Sequence, residues 1–418
     1  MMYNYYNKNK RKITMNYTQA INYIHSIPKF VRPLGNANLE KLLDCLKNPH
    51  IGQKYIHIAG TNGKGSTAAM ISSVLCEQGY KTGLFTSPFI EVFNERIQIN
   101  GENISDEDLV GYVERVKTEM EKNNLPVSEF AFICAVAFLY FKDRKCDFVV
   151  LEVGMGGRLD ATNVIEESEV SVIASISLDH MQFLGDTVEE IAIEKCGIIK
   201  QCGRAVSYPN EDVKEIIKSE AQKQGASLTF AENPTITDGG FIYKGKEYAL
   251  SLKGAYQPYN AATALEALFA LQGNGVQISD TAIEKGLANA KWPVRFEFIK
   301  DNLVLDGGHN ADGIAALKKS LEALNKEIIL VMAMMQDKSC KECIEDICSV
   351  AKYMIATEID MPRCMRCDEL KALATIDSES IKNQADAVKK ALDIAKNGEV
   401  VCVCGSLYLA GELKKKFK

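Results

Sequence analysis

A lysine set among three glycines, in the run AGTNGKGS from Ala59 to Ser66, is the part of this sequence best suited to do chemistry. Small residues there let backbone N–H groups turn inward on phosphate oxygens, and Lys64 adds a cation able to reach a β or γ phosphate. The run lies between KYIHIAG (54–60), which reads as a strand, and STAAMISSVLCEQG (66–79), which reads as a helix. A strand, a Gly-rich turn and a helix N-terminus in that order form a phosphate cradle. Thr61, Asn62, Gly63, Lys64, Gly65 and Ser66 are therefore expected to bind a nucleoside triphosphate. The run departs from the G-x-x-x-x-G-K-[ST] pattern, because Gly65 stands between Lys64 and Ser66.

Acids and histidines supply the second set. In LEVGMGGRLDATN (151–163), Glu152 closes an apolar strand just before a Gly-rich turn, a placement that suits Mg²⁺ with its preference for oxygen ligands and retained waters. ISLDH (176–180) reads as a strand end with Asp179 and His180 at its tip. His309 closes a second such strand, and the chain has only five histidines. Singly, each could be a cap or a core residue. Together they fall at strand carboxyl ends, where α/β sheets bind ligands. Lys195 follows in an otherwise apolar helix (IEKCGIIK), and the residues alone leave a solvated surface lysine and a site lysine both open.

These groups must be held by elements, and the chain repeats one theme: apolar strand, Gly-rich or polar turn, amphipathic helix. CDFVVLEVG (146–154), VSVIASIS (170–177) and GRAVSY (203–208) are strands, and LKGAYQPYNAATALEALFALQ (252–272) is a loop running into a long helix. A second series starts with the strand pair VRFEFIKDNLVLDGG (294–308), continuing through EIILVMAMM (327–335), YMIATEI (353–359) and EVVCVCGS (399–406). The fold class is α/β, with a P-loop-type parallel-sheet ATPase domain over 15–293 and a smaller Rossmann-like α/β domain over 294–418. The boundary is placed at Trp292-Pro293 because proline ends a helix.

Bulk properties narrow the class further. A formal net charge of −6 argues against nucleic acid. The longest apolar run, from Phe130 to Phe141, is too short to span a bilayer and reads as a buried helix. Residues 1–14 (MMYNYYNKNKRKIT) carry no apolar stretch for export, so they read as a disordered tail or a start assigned too early, with Met15 opening an amphipathic helix. Thirteen cysteines without an export signal point to reduced thiols in the cytoplasm. Cys340, Cys343, Cys364 and Cys367 have a zinc-ribbon spacing, but Cys343, Ile344, Ile347 and Cys348 form an apolar helical stripe, and the core reading is preferred.

Eight segments, in order, resemble the folylpolyglutamate synthases and dihydrofolate synthases of the Mur ligase superfamily. They are AGTNGKGS, TSPFIEVFNERI, LEVGMGGRLDATN, LDHMQFLG, EKCGIIK, YNAATA, WPVRFE and DGGHNADG, and the resemblance runs from Met15 to the end. It implies an ATP-dependent ligase that adds L-glutamate to the γ-carboxylate of a folate through an acyl phosphate. It also implies MgATP between two domains, with Lys64 on the phosphates and Ser87, Glu152 and His180 as magnesium ligands. Lys195 matches a lysine that the family carbamylates. Asn260, Arg295, Asp306 and His309 match residues that hold adenosine and phosphates, and Phe89 matches a position near the pterin. The carry-over makes Lys64, His180 and Lys195 the catalytic set, and a monomer is expected.

Some positions depart from the family pattern. Ala131 stands where a second acid is frequent, Cys134 where threonine is, and HNADG replaces His-Asn-Pro. The missing acid points weakly toward reduced folates over dihydropteroate. A dihydrofolate synthase or a bifunctional enzyme stays the nearest alternative. An ATP-gated binding module is disfavoured by Lys195 and the Arg295–Asp306–His309 group. A cell-wall Mur ligase is disfavoured by the folate-type TSPF loop and by the lack of room for a UDP-binding domain before the phosphate loop.

Overall fold

The computed structural model describes residues 15–31, 35–336 and 340–417, and the expected tail at 1–14 lies outside the described residues. Two sheets organise the chain. The first has eight strands in the spatial order Glu102–Asn103, Ile97–Ile99, Thr82–Phe85, Phe148–Glu152, Tyr55–Ala59, Val170–Ile173, Arg204–Ser207, Ser227–Phe230. The six from Thr82–Phe85 onward run parallel, and the two short ones at the other edge are antiparallel. Tyr55–Ala59 and Phe148–Glu152 are buried along their whole length, as strands covered by helices on both faces must be.

One face carries the helices Tyr17–Ser26, Ala37–Cys45, Asp106–Lys122 and Glu129–Asp143. The last is the apolar run read from the sequence; Ser128 caps it, its side chain accepting the N–H of Ala131. Among the described residues no helix is long and apolar enough to cross a membrane. The opposite face carries Lys64–Glu77, Gln257–Gly273 and Asp280–Asn289. A three-stranded antiparallel sheet over 235–249 packs there too, and the sequence reading had no place for it.

The second sheet has the order Glu297–Lys300, Leu303–Leu305, Val400–Cys404, Ile328–Met332, Tyr353–Ala356, Ser378–Ser380, parallel except for its first strand. Apolar clusters fill both of its faces. Cys343, Ile344, Ile347 and Cys348 lie buried in one of them, as the helical stripe requires. No group of three or more His, Cys, Asp or Glu is placed to hold a metal among the described residues, which exclude the Cys340 side chain.

In the first sheet, strand Tyr55–Ala59 is flanked by Phe148–Glu152 on one side and Val170–Ile173 on the other. The loops leaving these three carboxyl ends, at 60–63, 153–160 and 174–180, therefore converge, which is the crevice where open α/β sheets hold ligands. One expectation is corrected here: His309 stands four residues past strand Leu303–Leu305, and Asp179 and His180 do not tip strand Val170–Ile173. The strand stops at Ile173 because the chain then pairs with the phosphate loop, Ser175 O accepting Thr61 N–H at 2.6 Å and Thr61 Oγ1 accepting Ser177 N–H at 3.1 Å. His180 instead starts a single helical turn, Met181–Leu184, from a left-handed φ of 50°.

Candidate active site

The phosphate loop folds as its glycines dictate. Gly63 holds φ 81° at the cap of helix Lys64–Glu77, a conformation glycine adopts without strain. A Cβ there would lie 2.4 Å from Asn260 Oδ1, and one on Gly65 would lie 2.5 Å from the Trp292 ring. Gly65, the residue that breaks the common motif, is thus the seat of the chain segment joining the two sheets. Asn260 is itself held by the Gln257 side chain, and Gln257 Nε2 donates to Ser66 Oγ at 3.2 Å. Lys64 Nζ curls back to donate to the carbonyls of Gly60 and Thr61, both at 2.9 Å. Burial lowers its pKa, and Glu152 and Asp179 oppose that shift.

Glu152 is buried at 3% exposure, and its Oε2 accepts the N–H of Ser87 at 3.0 Å. Burial raises its pKa against the pull of the Lys64 ammonium. Lys195 is also buried, which settles the alternative left open above: it is not a surface lysine. Its Nζ donates to Gly60 O at 2.9 Å, the same carbonyl that Lys64 holds. Burial first, then the neighbouring Lys64, pulls the Lys195 amine down to about 7. The glycine turn after Glu152 makes this placement possible, since a Cβ on Gly157 would lie 2.6–2.7 Å from the carbonyls of Glu194 and Lys195. Asp160 ties that turn down by accepting from Met155 N–H and Thr162 N–H, both at 2.9 Å.

Lys64, Lys195, Asp179 and His180 wall one small cavity, together with Gly60, Thr61 and the 153–156 turn. One side of His180 is open to solvent, while the protein packed around the rest of its ring lowers its pKa and Asp179 opposes. Ser87 lies beside Glu152, to which its N–H donates. Phe89 stands further along the same loop, half-buried, with its ring 5.8 Å from Phe93 and the Arg96 guanidinium 5.3 Å from its centroid.

The second sheet approaches from the opposite side. Asp306 is buried at the end of strand Leu303–Leu305 with both oxygens engaged. Oδ2 accepts from Tyr256 OH at 2.7 Å and Phe296 N–H at 2.8 Å, and Oδ1 accepts Gly308 N–H at 2.7 Å. Its carboxylate therefore anchors the turn bearing Arg295 and the loop bearing His309. The His309 ring lies 2.9 Å from Gly307 O through Nδ1. Two residues absent from the sequence reading join the sheets: Asn62 Nδ2 donates to Asp312 Oδ2 at 2.8 Å and to Asn310 Oδ1 at 3.2 Å. Asn310 Nδ2 in turn donates to Asp179 Oδ2 at 3.2 Å. The signal available was the N-cap pattern: Asn310 precedes helix Ala311–Glu322 and accepts Gly313 N–H at 2.8 Å.

Set against known proteins, residues 58–268 match the Mur ligase middle domain and residues 294–407 match the Mur ligase glutamate ligase domain. The dihydrofolate synthase/folylpolyglutamate synthase of Bacillus subtilis is 36% identical, over 96% of this chain and 99% of the relative. The chain belongs to this branch of the Mur ligases. A second relative, the folylpolyglutamate synthase of Lacticaseibacillus casei, is 34% identical over 96% of this chain and 98% of its own length. Among solved structures, E. coli FolC in complex with DHPP and ADP superposes with a TM-score of 0.88 at 28% identity, covering 97% of this chain and 98% of FolC. As a Mur ligase of this branch, the chain is an ATP-dependent, amide-bond-forming ligase. Its convergence of phosphate loop, buried acid and buried lysine is where that chemistry has to be read.

Proposed function

We propose that the chain joins the amine of L-glutamate to the γ-carboxylate of tetrahydrofolate or a folylpolyglutamate, converting ATP to ADP and phosphate. The observation that carries this reading is the shared hold of Lys64 and Lys195 on Gly60 O, beside buried Glu152, inside a ligase fold. Two amines and one carboxylate around a phosphate loop suit the transfer of a phosphoryl group to a carboxylate. The carboxylate oxygen attacks the γ-phosphorus and ADP leaves; the glutamate nitrogen then bonds to the acyl carbon, the carbon–oxygen bond to phosphate breaks, and the new amide nitrogen gives up a proton as phosphate departs. Lys64 would swing from its own loop carbonyls to the β and γ phosphates, where a buried cation meets developing negative charge. Thr61 to Ser66 would supply backbone N–H groups, with Asn260 on the first sheet's helix Gln257–Gly273 and Arg295, Asp306 and His309 from the second sheet framing the nucleotide. The proposed division at 293/294 leaves the nucleotide between the two parts, where their approach excludes water from the acyl phosphate.

The donor set fits magnesium. Glu152 offers a buried carboxylate, Ser87 a hydroxyl and His180 an imidazole whose depressed pKa keeps it neutral, a sparse set of the kind Mg²⁺ completes with waters and phosphate oxygens. When bound there, the ion would neutralise phosphate charge. Lys195, with its amine near neutrality, fits carbamylation: the neutral nitrogen adds to the carbon of CO₂, one proton leaves, and an anion replaces a cation. Phe89, with Phe93 and Arg96 against it, is placed in this reading at the pterin side.

The bifunctional reading has support of its own, since the Bacillus subtilis relative carries both activities in its name. Ala131, where a second acid was noted as frequent, is buried in the first turn of helix Glu129–Asp143 and offers no charge to a second acceptor. We take the enzyme to act as a cytoplasmic monomer. ADP release with MgATP and L-glutamate, measured with tetrahydrofolate, with dihydropteroate and with neither, separates these readings. Release only with tetrahydrofolate supports the main proposal, release with both makes the enzyme bifunctional, and glutamate-independent hydrolysis would indicate an ATP-gated module instead.

A further inference from the structure

The loop carrying Ser87 and Phe89 is braced from two sides. Glu95 accepts the N–H groups of Ile90 at 2.8 Å and of Glu91 and Val92 at 3.0 Å. The outer edge of the loop rests on the last helix of the chain, Leu407–Phe417, which packs on the second sheet. Ile90 enters the apolar cluster of that sheet, and Gly411 comes so near that a Cβ would lie 2.5 Å from Ile90 O.

On the same helix Lys414 is buried at 7% exposure, although three neighbouring lysines would suggest a solvated tail. Its Nζ donates to both oxygens of Glu297, at 2.7 and 2.8 Å, and stands 3.6 Å from Glu91 Oε1. Glu297 Oε2 also accepts the N–H of Val294 at 2.8 Å. Val294 and Phe296 both hold left-handed backbone, at φ 50° and 49°, and Arg295 lies between them. A β-branched and an aromatic residue keep such a conformation only where the surroundings hold them there. Both side chains are buried in the apolar clusters of the second sheet, and the backbone is held by Glu297 on Val294 N–H, Gly307 N–H on Val294 O at 2.9 Å, and Asp306 on Phe296 N–H. One buried ammonium thus joins a carboxylate of the Phe89 loop to the carboxylate that fixes the Arg295 turn.

We infer that Lys414 is a positioning residue for the ligase reaction, setting the Ser87–Phe89 loop and the Arg295 turn in one register. The inference rests on the proposed reading of that loop as the acceptor side and of that turn as the nucleotide side. The chemistry asks for such a link, because the γ-phosphate and the acceptor carboxylate must meet although different sheets contribute to their sites.

The test is a steady-state comparison of Lys414→Met, Lys414→Arg, Glu91→Gln and Glu297→Gln, with thermal unfolding of each. Lys414→Met is expected to raise the KM for ATP and for tetrahydrofolate together, each by about fivefold or more, the lower end of coupling between linked sites. Glu91→Gln raises mainly the acceptor KM and Glu297→Gln mainly the ATP KM, while Lys414→Arg retains both. A purely structural role would lower the unfolding temperature and leave this split absent. Unchanged KM values in Glu91→Gln and Glu297→Gln overturn the inference even where Lys414→Met does not fold. Lack of wild-type turnover with tetrahydrofolate overturns the functional reading instead; affinity of Glu297→Gln for a non-hydrolysable ATP analogue then decides the nucleotide arm, equal affinity to wild type overturning it.

Discussion

Replacing Lys195 by methionine removes the amine and keeps the length and most of the apolar packing of the side chain. Burial and Lys64 bring this amine from 10.5 to about 7. At pH 7 roughly half of it is neutral, against about 3 in 10⁴ for an unperturbed lysine. The sign for stability follows. The unfolded chain keeps the proton up to its ordinary pKa, and the folded chain gives it up near 7. Between these values the unfolded state binds more protons, so stability rises with pH across that window; below it the full cost of a buried charge is felt. The whole window corresponds to about 5 kcal/mol, or roughly 1.4 kcal/mol per pH unit above 7, as an order of magnitude. Urea unfolding of wild type and Lys195→Met at a series of pH values from neutral upward isolates this group, because other titrations largely cancel in the difference. The wild type should gain on the variant as pH rises. The same neutrality governs CO₂ capture: under ¹³C-bicarbonate, a carbamate carbon signal should grow through pH 7 in wild type and be missing in Lys195→Met. A flat stability difference together with a carbamate signal equal in both proteins would refute the reasoning.

Three further outcomes follow from the same geometry. Lys64→Ala should lower kcat by about 10²-fold or more, since a buried cation at the phosphates is lost, with the circular dichroism spectrum unchanged; full turnover would remove Lys64 from the phosphates. Gly65→Ala should cost about 1–3 kcal/mol in urea unfolding, because its methyl group must displace the Trp292 ring from 2.5 Å; wild-type stability would mean that the ring moves freely. Asn310→Ala should lose about 1 kcal/mol of helix capping and also raise the KM for ATP, as its bonds to Asn62 and Asp179 go with it. A stability loss with unchanged KM would limit Asn310 to its cap.

Much of this architecture was legible because local signals and burial agreed. The strand–loop–helix around Lys64 and the fully buried strands at 148–152, 328–332 and 400–404 came from short apolar runs bounded by glycine or by polar residues, where one physical cause fixes both element and placement. Asp179 and His180 were misread because strand length depends on partners. After Ile173 the chain bonds to the phosphate loop, and nothing within ISLDH signals that. The burial of Lys195 was likewise invisible locally, since it depends on the 154–158 turn packing on the carbonyls of residues 194 and 195. The link from Asn62 to Asn310 and Asp312 spans about 250 positions along the chain, beyond the reach of any periodicity.

The central claim is that the chain lengthens a folate by one glutamate for each ATP spent. Mass analysis of the folate recovered after incubation with MgATP and L-glutamate, alongside the ADP formed, tests it most directly. The account predicts a tetrahydrofolate one glutamyl unit longer, in step with ADP. ADP without any longer folate or pteroate product would contradict it.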